Sequence, residues 1–143
     1  MKMAAVLIVD DDREIRETVV LALEDVGYTV SQASDGQAAI SYLQQTDTPH
    51  VVILDSFMPI MNGEEFLQTV LHDLHMKTHH TFIYMTARVQ RPDSTMAEML
   101  TTHGIPLISK PFDLDMLLDT VATSVQHLAT LDSTSSSSSD IAL

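Results

Sequence analysis

The chain has 143 residues and a hydrophobic content of 45%, which is enough for one domain with a single core. Seven Lys and Arg residues stand against 20 Asp and Glu residues, and the formal net charge of -13 argues against binding to nucleic acid or to an anionic membrane. The absence of cysteine excludes disulfides and thiolate chemistry. The first apolar run, Met3 to Val9, is too short for a membrane span and lacks a cleavage site, so we predict a cytoplasmic protein.

Five short apolar runs alternate with five segments of helical spacing. The predicted strands are Met3 to Val9, Thr29 to Ala33, Val51 to Leu54, Thr81 to Met85 and Pro106 to Ser109. Most of them are continuously apolar, as expected for strands that are buried on both faces. The alternation predicts parallel βαβ units and an α/β sandwich.

Turn dipeptides and glycines mark the ends of the predicted helices. Asp35-Gly36 and Asn62-Gly63 precede the second and third helices, whereas Gly27 and Gly104 lie where the first and fourth should end. We therefore predict helix boundaries at these positions.

The fourth predicted helix, about Asp93 to His103, has the weakest apolar pattern. Thr95 and Glu98 have the spacing of a capping box, and Met96 and Met99 are candidates for a partner-binding face. At the end of the chain, a serine tract without periodicity follows the last helix. We predict a folded domain over residues 1–129 and a flexible serine-rich tail over residues 130–143.

Polar residues end four of the five predicted strands. Asp10 and Asp11 follow the first strand, Asp55 the third, Thr86 the fourth and Lys110 the fifth. In open parallel sheets, ligands bind at this edge, beside the point where the strand order reverses. With the order 2-1-3-4-5, the four strands that carry these residues would be contiguous.

Three clustered carboxylates require a cation or a proton. Charges about 5 Å apart repel by roughly 3 kcal/mol per pair at an effective dielectric constant near 20. A ligand set made only of oxygen atoms suits Mg²⁺ or Mn²⁺. Together with a free carboxylate at Asp55, a hydroxyl at Thr86 and an ammonium at Lys110, such an ion would provide the groups needed for phosphoryl transfer to aspartate.

Simpler roles compete for several of these residues. One acid suffices to cap a helix, and Asp12 is a candidate N-cap of the first helix. Lys110 has an alternative role as a surface lysine, and Thr86 as an ordinary β-branched strand residue. Four histidines near the end of the third helix are interpreted as a solvated polar patch rather than as a metal site: His72, His75, His79 and His80.

Four motifs, in order, resemble the receiver domains of two-component response regulators over about Met3 to Leu128. VDDD followed by REIRE resembles the family's acidic pocket and first helix, and LDSFMPIMNG resembles the phosphoacceptor loop D-x-x-M-P-x-M-x-G. MTA and SKPF resemble the switch and lysine motifs. The resemblance implies a flavodoxin-like (βα)5 doubly wound sandwich with a five-stranded parallel sheet of order 2-1-3-4-5.

The resemblance also assigns a role to each polar residue at the sheet edge. It implies Asp55 as the phosphoacceptor, Asp11 as a direct metal ligand, and Asp10 as a metal ligand or its water-mediated partner. Thr86 would be the switch hydroxyl and Lys110 the phosphoryl contact. The carbonyl of residue 57 would complete the metal shell, and the Lys110-Pro111 peptide would be cis.

Three features depart from what the family often shows. Leu107 stands three residues before the lysine, where the family often has Tyr or Phe, and this predicts a blunted switch. Phe57 and Arg88 occupy tuning positions, and we hypothesise that Phe57 hinders water and Arg88 steadies the phosphoryl group, giving a long-lived phosphoform. No output domain follows the predicted receiver, which indicates a stand-alone type.

The leading functional hypothesis is a signalling switch that catalyses only its own phosphorylation and dephosphorylation. The phosphoryl group would come from a histidine kinase, a phosphotransfer protein or a small phosphodonor. It would shift an existing equilibrium at the face formed by the fourth helix, fifth strand and fifth helix, and so control binding to an unknown downstream protein. Whether this face also forms a homodimer is left open.

Three alternatives compete with this hypothesis. Asp10-x-Asp12 resembles the start of a phosphatase of the haloacid dehalogenase kind, but Arg13-Glu14 stand where that family has Gly-Thr. A flavodoxin-like cofactor binder needs a glycine- and hydroxyl-rich phosphate loop after the first strand, where DDDRE would repel phosphate. A degenerate receiver, used only as an interaction module without phosphorylation, is kept open by Leu107.

Overall fold

In a computed structural model, the chain forms a five-stranded parallel sheet with helices on both faces. The structure describes the backbone of residues 4–87 and 92–142 and the side chains of residues 4–87 and 92–128. The strands are β1 (Ala5–Val9), β2 (Thr29–Ala33), β3 (His50–Asp55), β4 (Thr81–Ala87) and β5 (Leu107–Lys110). The helices are α1 (Arg13–Asp25), α2 (Gly36–Gln44), α3 (Gly63–Leu71), α4 (Leu74–His79), α5 (Ser94–Thr102) and α6 (Leu114–Ala142).

The strands pair in the order β2-β1-β3-β4-β5, which confirms the predicted topology. All four pairings are parallel, with Val9 opposite Leu54, Asp55 opposite Met85 and Thr86 opposite Ser109. The strand order reverses beside β1, which pairs with both β2 and β3. The fold therefore places a crevice outside the carboxyl ends of β1 and β3.

The central strands are apolar throughout because both of their faces are buried. Successive strand residues point to opposite faces of the sheet. Leu7 and Val52 pack in one core cluster with residues of α2, α3 and α5, and Ile8 and Ile53 pack in the other with residues of α1 and α6. Each fully buried apolar side chain contributes about 1.5–3 kcal/mol of burial free energy, so the two layers fix the position of the strand ends.

The helix ends confirm most of the predicted boundaries. The carboxylate of Asp12 caps α1 by accepting hydrogen bonds from the backbone N–H groups of residues 14 and 15. Asn62 and Glu65 form a capping box at the start of α3. Gly27 and Gly104 follow α1 and α5 with φ angles of 103° and 64°, which glycine adopts without steric cost.

The structure differs from the prediction after α3. The short helix α4 was not predicted, so the predicted fourth and fifth helices are α5 and α6. Asp93 caps α5 by accepting a hydrogen bond from the N–H of Met96, and the predicted capping box of Thr95 and Glu98 is wrong because both residues lie inside the helix. Met96 is itself buried in the core, which leaves Met99 as the partly exposed methionine of the two proposed for a partner face.

The last helix continues beyond the predicted domain boundary. The backbone of α6 is helical through the serine tract to Ala142, where the sequence indicated no regular structure. Extending a helix that has already formed needs no new nucleus, since each further residue that is ordered adds one backbone hydrogen bond. The boundary at residue 129 and the flexibility of residues 130–143 stay predictions, and Met3 lies outside the described residues.

One of the four histidines is not part of a solvated patch. His80 is only 2% exposed, and its Nδ1 accepts a hydrogen bond from the backbone N–H of His50 at 3.0 Å. Burial is the main reason that the pKa of His80 is lowered to about 4, and the neighbouring His50, His79 and His75 add to the effect. Within the described part of the chain, no histidine belongs to a cluster with the spacing of metal ligands.

We predict that His80 makes the protein less stable in mild acid. Its pKa is about 4 in the folded chain and 6.5 for the ordinary side chain, so between these pH values the unfolded state binds more protons. The free energy of unfolding therefore rises with pH across this window, and the contribution is fully present above pH 6.5. A pKa difference of this size is on the order of 3 kcal/mol.

Urea unfolding measured between pH 7 and pH 4.5 tests this expectation. His80→Asn keeps an acceptor close to the position of Nδ1 but does not titrate, so it should lose less stability on acidification than the wild type. The exposed His72 provides the matched control His72→Gln, which should follow the wild type. An equal loss of stability in His80→Asn and in the wild type would contradict the expectation.

Candidate functional site

The crevice at the carboxyl ends of the strands contains the polar residues that the sequence analysis selected. Asp10 follows β1, Asp55 ends β3, Thr86 lies near the end of β4 and Lys110 ends β5. Asp10, Asp55 and Thr86 are buried, whereas Asp11 is exposed. The parallel arrangement of the strands is what brings residues from four separate parts of the chain to one edge.

Lys110 connects the two buried acids. Its ammonium donates a hydrogen bond to Oδ2 of Asp10 at 2.8 Å and lies 2.9 Å from Oδ1 of Asp55. Its side chain, which is 17% exposed, reaches from β5 past β4 to the ends of β3 and β1. Burial alone would lower the pKa of Lys110, but the hydrogen bonds and charges of Asp10 and Asp55 outweigh this effect and raise it, so the ammonium stays charged.

The charge of the acidic residues is not balanced within the site. Asp10, Asp11 and Asp55 each offer one carboxylate oxygen, and these atoms all lie within 4.8 Å of one another. Burial raises the pKa of Asp55; the hydrogen bond from Lys110 opposes this rise, and the charges of Asp10 and Asp11 add to it. Three carboxylates and one ammonium leave two negative charges in the crevice.

A hard divalent cation fits this set of donors. Oxygen atoms on opposite sides of an octahedral Mg²⁺ lie about 4 Å apart, so the three carboxylates would need only small movements to bind it. The donors are carboxylates alone, which favours Mg²⁺ or Mn²⁺ over softer metals. The carbonyl of Phe57 as a further ligand stays a prediction, and the side chain of Phe57 is 70% exposed.

Two contacts hold the loop that carries the acids after β1. Oδ1 of Asp10 accepts a hydrogen bond from the N–H of Asp12 at 2.9 Å. The guanidinium of Arg16 donates to the carbonyl of Asp10 at 2.7 Å and to the side chain of Gln32 at 3.2 Å. This role of Arg16 was not predicted from the sequence, although a basic residue one turn into a helix that follows three acids is a signal for it.

Thr86 is connected to the loop that follows Asp55. Its hydroxyl accepts a hydrogen bond at 3.3 Å from the hydroxyl of Ser56, a residue that the sequence analysis also missed. Thr86 and Leu107 line a cavity of about 860 Å³ between α5, β4 and β5, and Leu107 is 45% exposed. The effect of Leu107 on a switch stays a prediction, and Arg88 lies outside the described residues.

The loop from Asp55 to Gly63 is tightly packed beneath the site. A Cβ atom on Gly63 would lie 2.7 Å from the carbonyl oxygen of Asp55, 2.8 Å from a ring carbon of Tyr84 and 2.9 Å from Cα of Ser56. Such distances leave no room for a side chain. The Lys110-Pro111 peptide on the other side of the site is cis, as the resemblance implied.

The fold and the acidic site together define a signalling domain of the response regulator type. The sequence profile of the response regulator receiver domain matches residues 6–122, and the chain belongs to this family. Receiver domains are signalling domains and not enzymes in the ordinary sense. The family assignment sets aside the phosphatase and the cofactor binder, and leaves the degenerate receiver open.

Relatives of known type agree with this assignment. The chain is 33% identical over 110 residues to the response regulator SaeR of Staphylococcus aureus, a match that covers 77% of this chain and 45% of SaeR. It is 31% identical over 117 residues to the CAI-1 autoinducer sensor kinase/phosphatase CqsS of Vibrio cholerae, covering 82% of this chain and 17% of CqsS. The chain thus spans less than half the length of either relative.

Solved structures show the same fold. The chemotaxis response regulator CheY4 of Vibrio cholerae matches with a TM-score of 0.72 and 31% identity, covering 86% of this chain and 99% of that chain. A CheY-like receiver domain protein from Methanospirillum hungatei matches with a TM-score of 0.74 and 27% identity, covering 91% of this chain and 98% of that chain. Within the described part of this chain, no helix is long and apolar enough to cross a membrane.

We predict that Gly63→Ala destabilises the protein by about 1–3 kcal/mol, the usual cost of forcing an extra group into a packed region. The added methyl would clash with backbone atoms of Asp55 and Ser56. Backbone atoms cannot move aside as the end of a flexible side chain can, so the backbone itself would be displaced. Urea unfolding measures the change. Gly36→Ala is the matched control, since its nearest atoms belong to Met61 at 3.1 Å and its loss should be smaller. Wild-type stability in Gly63→Ala would contradict the packing described here.

Proposed function

We propose that the protein is a phosphorylation-controlled switch of two-component signalling, in which Asp55 accepts a phosphoryl group from a histidine kinase or a phosphotransfer protein. The observation that carries this proposal is the ammonium of Lys110 held between the buried carboxylates of Asp10 and Asp55. Membership in the receiver family supports it. A site with this charge distribution favours a ligand that brings both a cation and phosphoryl oxygens.

The proposed chemistry gives each side chain one task. A carboxylate oxygen of Asp55 attacks the phosphorus atom in line with the leaving group, and the bond from phosphorus to the donor breaks. The ammonium of Lys110 neutralises one phosphoryl oxygen, and the hydroxyl of Thr86 donates a hydrogen bond to another. An ion bound by Asp10, Asp11 and Asp55 would supply further neutralisation of the phosphoryl charge.

The product of this reaction stays attached to the protein, so the proposed activity is limited to phosphorylation and dephosphorylation of Asp55 itself. In the course of it, the Thr86 hydroxyl would redirect its hydrogen from the carbonyl of Ala87 to a phosphoryl oxygen. This movement would alter packing at the cavity between Thr86 and Leu107, and through it the face formed by α5, β5 and α6. A protein target would then bind one state of this face better than the other.

A homodimer through the same face and a cytoplasmic location stay predictions. The degenerate alternative, binding without phosphorylation, predicts a different outcome in the experiment that follows.

We expect incubation with acetyl phosphate and Mg²⁺ to add one phosphoryl group to the wild type, as measured by intact mass. The gain should be absent without Mg²⁺ and absent in Asp55→Asn, which lacks the nucleophile. Asp47→Asn, a change at an exposed acid, serves as the control and should be labelled like the wild type. A lack of labelling in the wild type, while a known receiver is labelled in parallel, would favour the degenerate module.

We also expect Phe57→Asn to shorten the lifetime of the phosphoform by about tenfold, equivalent to ~1.4 kcal/mol in the barrier to hydrolysis. The ring of Phe57 is 70% exposed two residues after Asp55, and a smaller polar side chain would admit and orient water. Decay is followed by the loss of the added mass after removal of the phosphodonor. Ile60→Asn, in the same loop and 78% exposed, is the control that should decay like the wild type. Equal lifetimes in Phe57→Asn and the wild type would refute a water-excluding role for Phe57.

A further inference from the structure

A second cavity lies at the opposite end of the sheet from the acidic crevice. It has a volume of about 420 Å³ and is bounded by α4, the first residues of β4, the turn before β5 and the middle of α6. Thr81 at this end and Thr86 at the other are five residues apart on β4, roughly 16 Å along the strand. The volume is within the range of about 300–1,000 Å³ that small-molecule sites occupy.

Two buried polar atoms at this cavity have no hydrogen-bond partner among the described residues. They are Nε2 of His80 and Oγ1 of Thr81, on adjacent residues that both line the cavity. Because Nδ1 of His80 accepts a hydrogen bond from the N–H of His50, the neutral ring carries its proton on Nε2. Nε2 is therefore a buried donor that requires an acceptor, and buried polar groups without partners are rare.

Besides the hydroxyl residues Thr123 and Ser124, the other polar residues of the wall are a lysine and two histidines. Lys77, His103 and His127 line the cavity, and the described lining contains no Asp or Glu, although the chain has a formal net charge of -13. Every charged or imidazole group of the wall can thus donate a hydrogen bond, and such a wall selects a ligand rich in acceptors and negatively charged. The wall also includes apolar residues, among them Leu71, Phe82 and Ile105.

We propose that this cavity binds a small organic carboxylate. Its carboxylate oxygens accept hydrogen bonds from Nε2 of His80 and Oγ1 of Thr81 and lie on the side of the wall that carries Lys77. Its apolar body packs against Leu71 and Phe82. The site is distinct from the acidic crevice and does not depend on phosphorylation of Asp55.

NMR titration of the full chain at pH 7 tests the proposal with defined probes. Benzoate is the organic carboxylate, benzylamine is its cationic counterpart, and inorganic phosphate is an anion without an apolar body. We expect benzoate to cause saturable shifts of the ring nitrogen Nε2 of His80 and of the amides of Thr81 and Ile105. Benzylamine should cause none, and phosphate should bind more weakly than benzoate.

Two variants test whether benzoate binds at His80 and Thr81. Thr81→Val removes a hydroxyl while keeping the shape of the side chain, and His80→Asn removes Nε2 while keeping an acceptor for the N–H of His50. Each should weaken benzoate binding at least tenfold, whereas His72→Gln, at an exposed residue outside the cavity, should bind like the wild type. Thermal unfolding of each variant checks that it folds. If His80→Asn does not fold, Thr81→Val alone tests the site.

Three results would overturn the proposal. The first is an absence of shifts at the cavity residues, which would indicate a cavity that holds only water. The second is unchanged benzoate affinity in Thr81→Val, or in folded His80→Asn. The third is a preference for phosphate over benzoate, or shifts confined to Asp55 and Lys110, which would assign the binding to the acidic crevice.

Discussion

The ion pairs of Lys110 with Asp10 and Asp55 are the contact on which the site depends. Two of these charged groups are almost fully buried, and removing one partner from a buried ion pair typically costs about 3–5 kcal/mol. The contact joins β5 to β3 and β1, which lie two and three strands away from it in the order β2-β1-β3-β4-β5. The same apolar packing that buries both faces of the sheet therefore also brings the charges together.

The acids are held in place by the protein itself. Asp10 accepts hydrogen bonds from the N–H of Asp12 and from the guanidinium of Arg16. The backbone of Asp55 packs closely against Gly63. The site is thus arranged around a net negative charge before any ligand arrives. Such preorganisation is what makes electrostatic stabilisation effective, because the groups do not have to reorganise during the reaction.

Much of the fold could be predicted because its signals are local or follow from parallel topology. Continuous apolar runs indicated strands buried on both faces, and the polar residues at strand ends, such as Asp55, had to meet at one edge. The helix α4 was missed because its six residues are too few to show helical periodicity. His80 was wrongly interpreted as solvated because its burial depends on a contact with His50, which lies 30 residues away in sequence. Arg16 was not selected although its contact with the carbonyl of Asp10 is local.

We infer that the acids at the sheet edge bind a divalent cation, and that the ammonium of Lys110 partly neutralises the same carboxylates. Calorimetric titration with Mg²⁺ of the wild type, Lys110→Met and Asp11→Asn tests it most directly. We expect Lys110→Met to bind Mg²⁺ about tenfold more tightly, or ~1.4 kcal/mol, because the ammonium no longer competes for Asp10 and Asp55. Asp11→Asn should bind Mg²⁺ more weakly. Equal Mg²⁺ affinities in the three proteins, or no Mg²⁺ binding to the wild type, would show that the acids do not form a cation site.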